Sequence, residues 1–580
     1  MTVLYYQKTM RGVIRVCGAA GLGMNSTADI IADIFAELGY LVNTDIEYQS
    51  LIKGGVNYFD IFFSDESKYI SKYHDILLAL DTPNLKHSLS FLKSGGIVIT
   101  NSKNISKLEA QGQAFDEYQV LSLDIEDKYD NTYLISILGK LLNFETALLD
   151  AKIEKIFAKK GPEAVAHNLD IRKNIYESCE LSVTSPFPKI IQIGPAKALT
   201  YGNKVLADGA TASKLEYYSA YPMTPASTIL SEIIKGKKVQ YLQAEDEISV
   251  VMSALGASFA GKRSMVGTSG GGFALMVEGI SFAIQSEIPL VMVLSQRAGP
   301  STGTPTFHEQ GDLNLALNPS FGDFEHIVIA PSSLEDGYYL AGEALNLAQK
   351  YQTIVILLTD KQYADGKATL AEIPQAASVQ RGKLETTPAK DSKRYALTED
   401  GISPYTIPGT PDGDFIATSY EHDEYGATTE ETDMKKAMTE KRWKKLENFY
   451  EKEGICGYEM FGVSSPHNTS LNSLLPGEMK QQKVIITTSY TSYTAKEFVK
   501  NNPEFGLIII KYLKPLDRRL RDELIGKSEV IFVESNYSGQ LEKYITQELG
   551  LAYIDGLKIS NLRKYDLYPF YYKDFETLKI

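Results

Sequence analysis

The sequence predicts an α/β protein with three open, mostly parallel α/β domains. Short β-branched runs alternate with segments of helical period along most of the chain, and glycine-bearing turns join the two kinds. No fixed-period repeat of solenoid type interrupts that alternation. At 580 residues with 43% hydrophobic content, the chain can bury several cores.

Residues 12–17, GVIRVC, form the first strand signal. A glycine turn follows, and then apolar residues at Ile30, Ile31, Ile34, Phe35 and Leu38 recur at helical spacing. Asn25 or Ser26 is the expected N-cap of that helix, and Gly39 the residue past its end. VNYFDIFFSD and GGIVITN supply further strands, so residues 1–182 are expected to form one open parallel α/β domain. Gly18, Gly21 and Gly23 do not spell G-x-G-x-x-G, and no acidic residue is placed to hold a ribose. These glycines serve either a tight turn or an anion at the helix N-terminus.

A linker at LSVTSPFPKIIQIGPAK leads to a second domain, 196–375. EYYSAYPMTPASTILSEI, VQYLQAEDEISVVMSALGASFAG and SMVGTSGGGFALMVEGISFAI each read as strand, turn, helix. PLVMVLSQRAGPSTGTPTFHEQGDL reads as a buried strand and a long loop. Every one of these motifs falls at the carboxyl end of a strand, where open α/β sheets bind ligands. Residues 376–480 are polar and rich in Gly and Pro, a connecting region with an exposed helix at KKAMTEKRWKKLENFYEK. QKVIITTS, GLIIIKYLKPL and SEVIFVESN are the strands of a third domain, 481–580.

Composition narrows the function. The 73 acidic against 59 basic residues give a net charge of -14, which provides no basic field for nucleic acid. No apolar run is long enough to span a membrane and the N-terminus lacks a secretory pattern, so a cytoplasmic protein is expected. Cys17, Cys179 and Cys456 are too far apart in sequence to make a C-x-x-C pair, so neither a zinc ribbon nor an iron–sulfur loop is read from them.

The second domain concentrates the unusual residues. In YPMTP, Pro222 and Pro225 restrict Tyr221 and Thr224 to extended backbone and fix where the threonine hydroxyl points. Glu245 stands where a strand gives way to a helix, a place expected to desolvate it and raise its pKa; with Asp246 and Glu247 it also reads as an acidic helix start. Thr268, Ser269 and Gly270 open a glycine run that brings backbone N–H groups close to a ligand or simply makes a turn. Arg297 ends a buried strand, and hydroxyls follow at Ser301, Thr302, Thr304 and Thr306. That set suits a carboxylate, held by two parallel guanidinium hydrogen bonds, or a structural salt bridge.

In this succession YPMTPAS, QAEDEISVVMSALGASFAG, TSGGGFALMVEG, QRAGPSTGTPT and EQGDL, with EHDEYG and VESNYSGQL further on, the chain resembles the alpha subunit of 2-oxoacid:ferredoxin oxidoreductases with a gamma domain fused ahead of it. The resemblance covers nearly the whole chain. It implies a gamma-type Rossmann-like domain, a thiamine-diphosphate pyrimidine-binding domain and a transketolase C-terminal-like domain. It further implies oxidative decarboxylation of a 2-oxoacid with coenzyme A, 2-oxoglutarate first and pyruvate or branched-chain 2-oxoacids behind it, with electrons passed to ferredoxin. The resemblance assigns the carboxylate that contacts the aminopyrimidine to Glu245, cofactor contacts to Thr268, Ser269 and Gly270, and 2-oxoacid contacts to Tyr221, Pro222, Thr224, Pro225, Arg297 and Thr306.

No G-D-G stretch and no cluster cysteines are found, so the resemblance places Mg²⁺, the diphosphate pocket and a [4Fe-4S] cluster on a separate beta subunit, in an (alpha-beta)₂ assembly. The sequence departs from the family pattern at GAAGLG, where GEGGQG is usual, at Lys53 before Gly54-Gly55, where arginine is usual, and at TTSYTSYT, which lacks an expected glycine turn. Ligand roles for the first loop and coenzyme A contacts in the last domain are therefore in question. Two other readings stand beside this one: a lipoate-linked 2-oxoacid dehydrogenase subunit, against which residues 1–182 argue, and a non-catalytic scaffold of the same fold.

Overall fold

The computed structural model of the chain describes residues 10–48, 55–125, 130–370, 372–462 and 482–579. Two compact units emerge: residues 1–200 with 366–372 and 571–580, and residues 201–365 with 373–570.

The first unit carries an eight-stranded sheet. Its strands are β1 (Arg11–Cys17), β2 (Leu41–Glu47), β3 (Tyr58–Ser64), β4 (His74–Ala79), β5 (Leu92–Asn101), β6 (Gln119–Leu123), β7 (Ala198–Tyr201) and β14 (Lys367–Leu370), in the order β6-β5-β4-β1-β3-β2-β14-β7. β1, β4, β5 and β6 run parallel, as the sequence led us to expect. β3, in contrast, is antiparallel to both β1 and β2. Fewer residues separate β2 from β3 than the crossover of a parallel pair needs, which favours the antiparallel pairing.

Helix Met24–Glu37 buries Ile30, Ile31, Ile34 and Phe35 in the unit's core, the face the spacing predicts. Its N-cap is Gly23 (φ 86°), not Asn25 or Ser26, and no side chain caps it. The glycine turn already delivers the chain in helical register at Met24, which puts Asn25 and Ser26 inside the first turn. Gly39 lies past the end with φ 88°, as expected. Lys53 and Gly54 lie outside the described residues.

The second unit holds two sheets. One is seven-stranded: β8 (Tyr217–Ala220), β9 (Gln240–Gln243), β10 (Ser264–Thr268), β11 (Leu290–Gln296), β12 (Ile327–Ile329), β13 (Ile354–Asp360) and β18 (Tyr512–Lys514), ordered β18-β12-β13-β11-β10-β8-β9. Only β18 runs antiparallel, against β12. The other comprises β15 (Tyr458–Phe461), β16 (Lys483–Thr488), β17 (Phe505–Ile510), β19 (Glu529–Glu534) and β20 (Lys558–Arg563), ordered β15-β17-β16-β19-β20. Val266, Leu294 and Ile356 of the first sheet and Val484, Ile508 and Phe532 of the second belong to one apolar core.

Strand order locates the crevices. From β8 the chain steps outward to β9 and then returns to β10 on the other side, so the direction of winding reverses between β8 and β10. In the five-stranded sheet it reverses between β16 and β19. Open α/β sheets gather ligands outside the carboxyl ends of strands at such points.

The connecting helix, Thr432–Lys444, is not simply exposed, because it buries Met438 and Lys441. Lys441 Nζ lies 2.6 Å from Glu287 Oε1, and Lys445 Nζ lies 2.7 Å from its Oε2. Burial pulls the Glu287 carboxyl up, but Lys441, Lys445 and Arg394 outweigh it and hold the group well below the usual carboxylate range. Lys441 of the helix and Lys445 just past its end thus face inward to neutralise one enclosed acid, while Lys435, Lys436 and Lys444 stay exposed.

Candidate functional site

Four loops meet at the carboxyl ends of β8, β9, β10 and β11. After β8, Pro225 is joined to Thr224 by a cis peptide bond, and Asn203 Nδ2 donates to Pro225 O (2.8 Å) and Thr228 Oγ1 (2.7 Å). A buried amide therefore pins the base of the YPMTP loop, while Tyr221 and Pro222 remain exposed. After β11, Arg297 Nη1 donates to Thr224 O (2.7 Å), which joins two of the predicted substrate residues. After β10, Thr268 and Ser269 are buried and Gly270 half-buried, and Thr268 Oγ1 lies 3.9 Å from Met223 Sδ.

The Arg297 loop folds back through Ala298 N to Phe307 O (3.2 Å) and Thr304 N to Ala298 O (3.1 Å). This brings Thr306, which is buried, back beside the base of Arg297, whereas Ser301 and Thr302 face solvent. Burial lowers the Arg297 guanidinium pKa against the pull of Asp312. Asp312 itself is pushed up to about 6 by burial and by Glu309, with Arg297 opposing.

The acids after β9 divide in a way the sequence reading did not anticipate. Glu245 is exposed, and Ser249 Oγ donates to its Oε1 (2.6 Å). That bond, with a backbone hydrogen bond, holds the carboxyl below its usual value, so the expected desolvation and raised pKa at Glu245 are not found. The reason is its position: Asp246 is the N-cap, accepting from Ser249 N (2.8 Å), and Glu245 falls outside the helix on the solvent side.

Glu247 is the buried acid, at 4% exposure, and its Oε1 has no hydrogen-bond partner among the described residues. It lies at the inner end of helix Glu247–Phe259, on the stripe that continues through Val250, Val251 and Ala254. The glycine run is not a turn ahead of a helix but the start of the helix Gly270–Leu275, and a Cβ on Gly272 would stand 2.5 Å from Glu247 Oε1 and overlap Thr268 Oγ1, so this helix start closes directly on the carboxylate. A Cβ on Gly270 would stand 2.7 Å from Asp312 Oδ2.

The sequence signal for Glu247 was present. Counting from it, Val250, Val251 and Ala254 fall at i+3, i+4 and i+7, which places its side chain on the core face. An unpaired buried carboxylate costs several kcal/mol unless a partner arrives from outside the chain. The glycine-rich start of a helix over such an acid, at the reversal point of a parallel sheet and beside an Arg–Thr pair, gathers a buried acceptor, close backbone approach and a cation at one place.

Comparison with known proteins narrows the class. Residues 208–441 match the family described as pyruvate flavodoxin/ferredoxin oxidoreductase, thiamine diphosphate-binding, and residues 13–178 match pyruvate ferredoxin/flavodoxin oxidoreductase. The chain is 30% identical to the 2-oxoacid:ferredoxin oxidoreductase subunit alpha of Saccharolobus solfataricus, over 92% of each chain. It is 41% identical to the 2-oxoglutarate synthase subunit KorA of Archaeoglobus fulgidus over 35% of this chain and 61% of that one. The solved 2-oxoglutarate:ferredoxin oxidoreductase from Magnetococcus marinus, with 2-oxoglutarate, coenzyme A and succinyl-CoA bound, superposes with a TM-score of 0.85 at 28% identity over 99% of each chain. The chain belongs to the 2-oxoacid:ferredoxin oxidoreductase alpha-subunit family.

Proposed function

We propose that this chain binds the aminopyrimidine of thiamine diphosphate through Glu247 and acts on 2-oxoglutarate. The observation that carries the reading is the buried Glu247 oxygen without a partner, under Gly272. Bound there, the cofactor would supply a carbanion nucleophile and an electron sink for decarboxylation. Glu247 would hold a proton toward a ring nitrogen, and its enclosure strengthens that hydrogen bond. Thr268, Ser269 and Gly270 would line the ring's edge, and Ser269 Oγ is also buried without a partner among the described residues.

Arg297, already oriented on Thr224, would take the substrate carboxylate with the Thr224 and Thr306 hydroxyls, while Tyr221, Pro222 and Pro225 shape the wall. 2-Oxoglutarate is favoured by the named activities of the Archaeoglobus and Magnetococcus relatives, and coenzyme A by the latter's bound ligands. The Glu245 alternative is weaker because that carboxylate is exposed and already bonded to Ser249. A scaffold that had lost activity would have no reason to keep a buried carboxylate oxygen that has no hydrogen-bond partner among the described residues.

A beta subunit bearing Mg²⁺, the diphosphate pocket and a [4Fe-4S] cluster completes the proposal, with ferredoxin as acceptor and an (alpha-beta)₂ assembly. Support for a partner comes from the edge of the site. All four residues of β9 are exposed on an edge strand, and Tyr241, Leu242, Ile248, Met252 and Leu275 are exposed apolar side chains on β9 and the neighbouring helices. No helix among the described residues is long and apolar enough to cross a membrane.

The experiment is coenzyme A-dependent dye reduction by the chain co-purified with its partner, across a panel of 2-oxoacids. The proposal expects thiamine diphosphate-dependent turnover that is highest with 2-oxoglutarate. Turnover highest with pyruvate would replace the substrate, and full activity without the partner would remove the division of labour.

A further inference from the structure

The five-stranded sheet also has a crevice at its reversal point, between the carboxyl ends of β16 and β19, and the chain fills that crevice with its own residues. Gln310 N donates to Ser535 O (2.7 Å), just past β19, and Gln310 Nε2 donates to Thr491 Oγ1 (3.3 Å), just past β16. Asn536 Nδ2 donates to Gln310 O (3.1 Å), Gln540 Nε2 donates to Gly311 O (2.7 Å), and His308 Nε2 meets Ser535 Oγ at 3.2 Å.

The same Gln310 amide also reaches the other sheet, donating to Asp360 Oδ2 (2.9 Å) at the carboxyl end of β13. Gln310, His308, Asp360, Ser535 and Asn536 are all buried. Gln310 thus stands where the ligand edges of the two sheets meet, bonded to both. A buried side chain that satisfies partners on three elements is held in one orientation, because releasing it leaves several polar groups unpaired.

We infer that Gln310 is a positioning residue: it uses the third domain's ligand crevice as an anchor for the loop from Arg297 to Asp312 and thereby sets the substrate affinity of the site between β8 and β10. The loop carries Arg297, bonded to Thr224 O, and Asp312, beside Gly270, towards the site, and His308, Gln310 and Gly311 on the side facing the anchor. The third domain acts through this loop and not as a ligand site of its own. The inference rests on the proposed function only where it concerns substrate affinity.

Hydrogen exchange on the full chain tests the anchor directly. Gln310→Leu keeps the bulk and removes the side-chain hydrogen bonds. It should speed exchange in peptides covering 298–312 by about tenfold while peptides from β16 and β19 keep wild-type rates. In the assembled enzyme the same variant should raise KM for the 2-oxoacid by about tenfold with kcat changed far less, the signature of lost binding rather than lost chemistry.

Unchanged exchange in 298–312 overturns the anchor, and faster exchange with unchanged KM overturns the positioning role. Should Gln310→Leu not fold, His308→Phe, which removes one bond of the set, must show the same pattern at smaller size, and its absence counts against the inference. If the wild-type assembly turns over no 2-oxoacid, the functional reading falls and the exchange result still decides the anchor.

Discussion

The two glycine turns of this molecule look alike in sequence and differ in what lies beneath them. Gly18–Gly23 turns the chain from β1 into the helix Met24–Glu37, whereas Gly270–Gly272 are the first residues of the helix Gly270–Leu275 just past β10. In the first, Ala19 N donates to Asp81 Oδ2 (2.6 Å), Leu22 is exposed, and a Cβ on Gly21 would meet nothing within 4 Å. In the second, the glycines close on Glu247, Thr268 and Asp312. A glycine turn alone marks only a change of direction. What makes the second a site is the buried acid it covers, one oxygen of which has no hydrogen-bond partner among the described residues.

Between the two glycine turns, the larger effect is expected from Gly272→Ala. Its methyl would overlap Glu247 and Thr268, costing about 1–3 kcal/mol of stability and lowering thiamine diphosphate affinity. Thermal unfolding with and without cofactor measures both. Gly21→Ala, the matched change in the first loop, should cost only about 1 kcal/mol, from its φ of 93°, and leave cofactor affinity alone. An equal loss of cofactor binding in both variants would break the comparison.

Arg297→Lys comes next. It keeps the charge but loses the planar fork, and should raise KM for the 2-oxoacid by about tenfold in steady-state assays.

A further expected effect is a pH dependence of stability at Asp312. Its folded pKa, about 6, is above the reference value of 3.8. The folded state therefore binds more protons than the unfolded one between these values, and this residue's contribution to stability falls as pH rises from 3.8 through about 6. Asp312→Asn should remove that limb from a plot of stability against pH. If the wild-type and variant profiles run parallel across the window, the enclosed character of this side of the site is wrong.

Much of this was legible in the sequence, and what escaped it did so for physical reasons. Strand-turn-helix alternation placed YPMTP, TSGGG and Arg297 at strand ends because burial of alternating elements is a local property. The choice between Glu245 and Glu247 was also local, encoded in the spacing of Glu247 to Val250, Val251 and Ala254, but it requires knowing that the helix begins after Asp246. Gln310 could not be read, since its partners Thr491 and Ser535 lie 181 and 225 residues away and pair with it only once both sheets are formed. The inward turn of Lys441 and Lys445 was hidden likewise, because Glu287 lies far from them in sequence and the segment's composition is that of a solvated helix.

The most direct test compares Glu247→Gln with Glu245→Gln in the assembled enzyme, with decarboxylation measured at saturating thiamine diphosphate. The buried-acid account predicts that Glu247→Gln loses about 10²–10⁴-fold in kcat, the usual cost of removing a positioned acid–base group, while Glu245→Gln stays near wild type. A near-normal rate for Glu247→Gln beside a collapse for Glu245→Gln would contradict it.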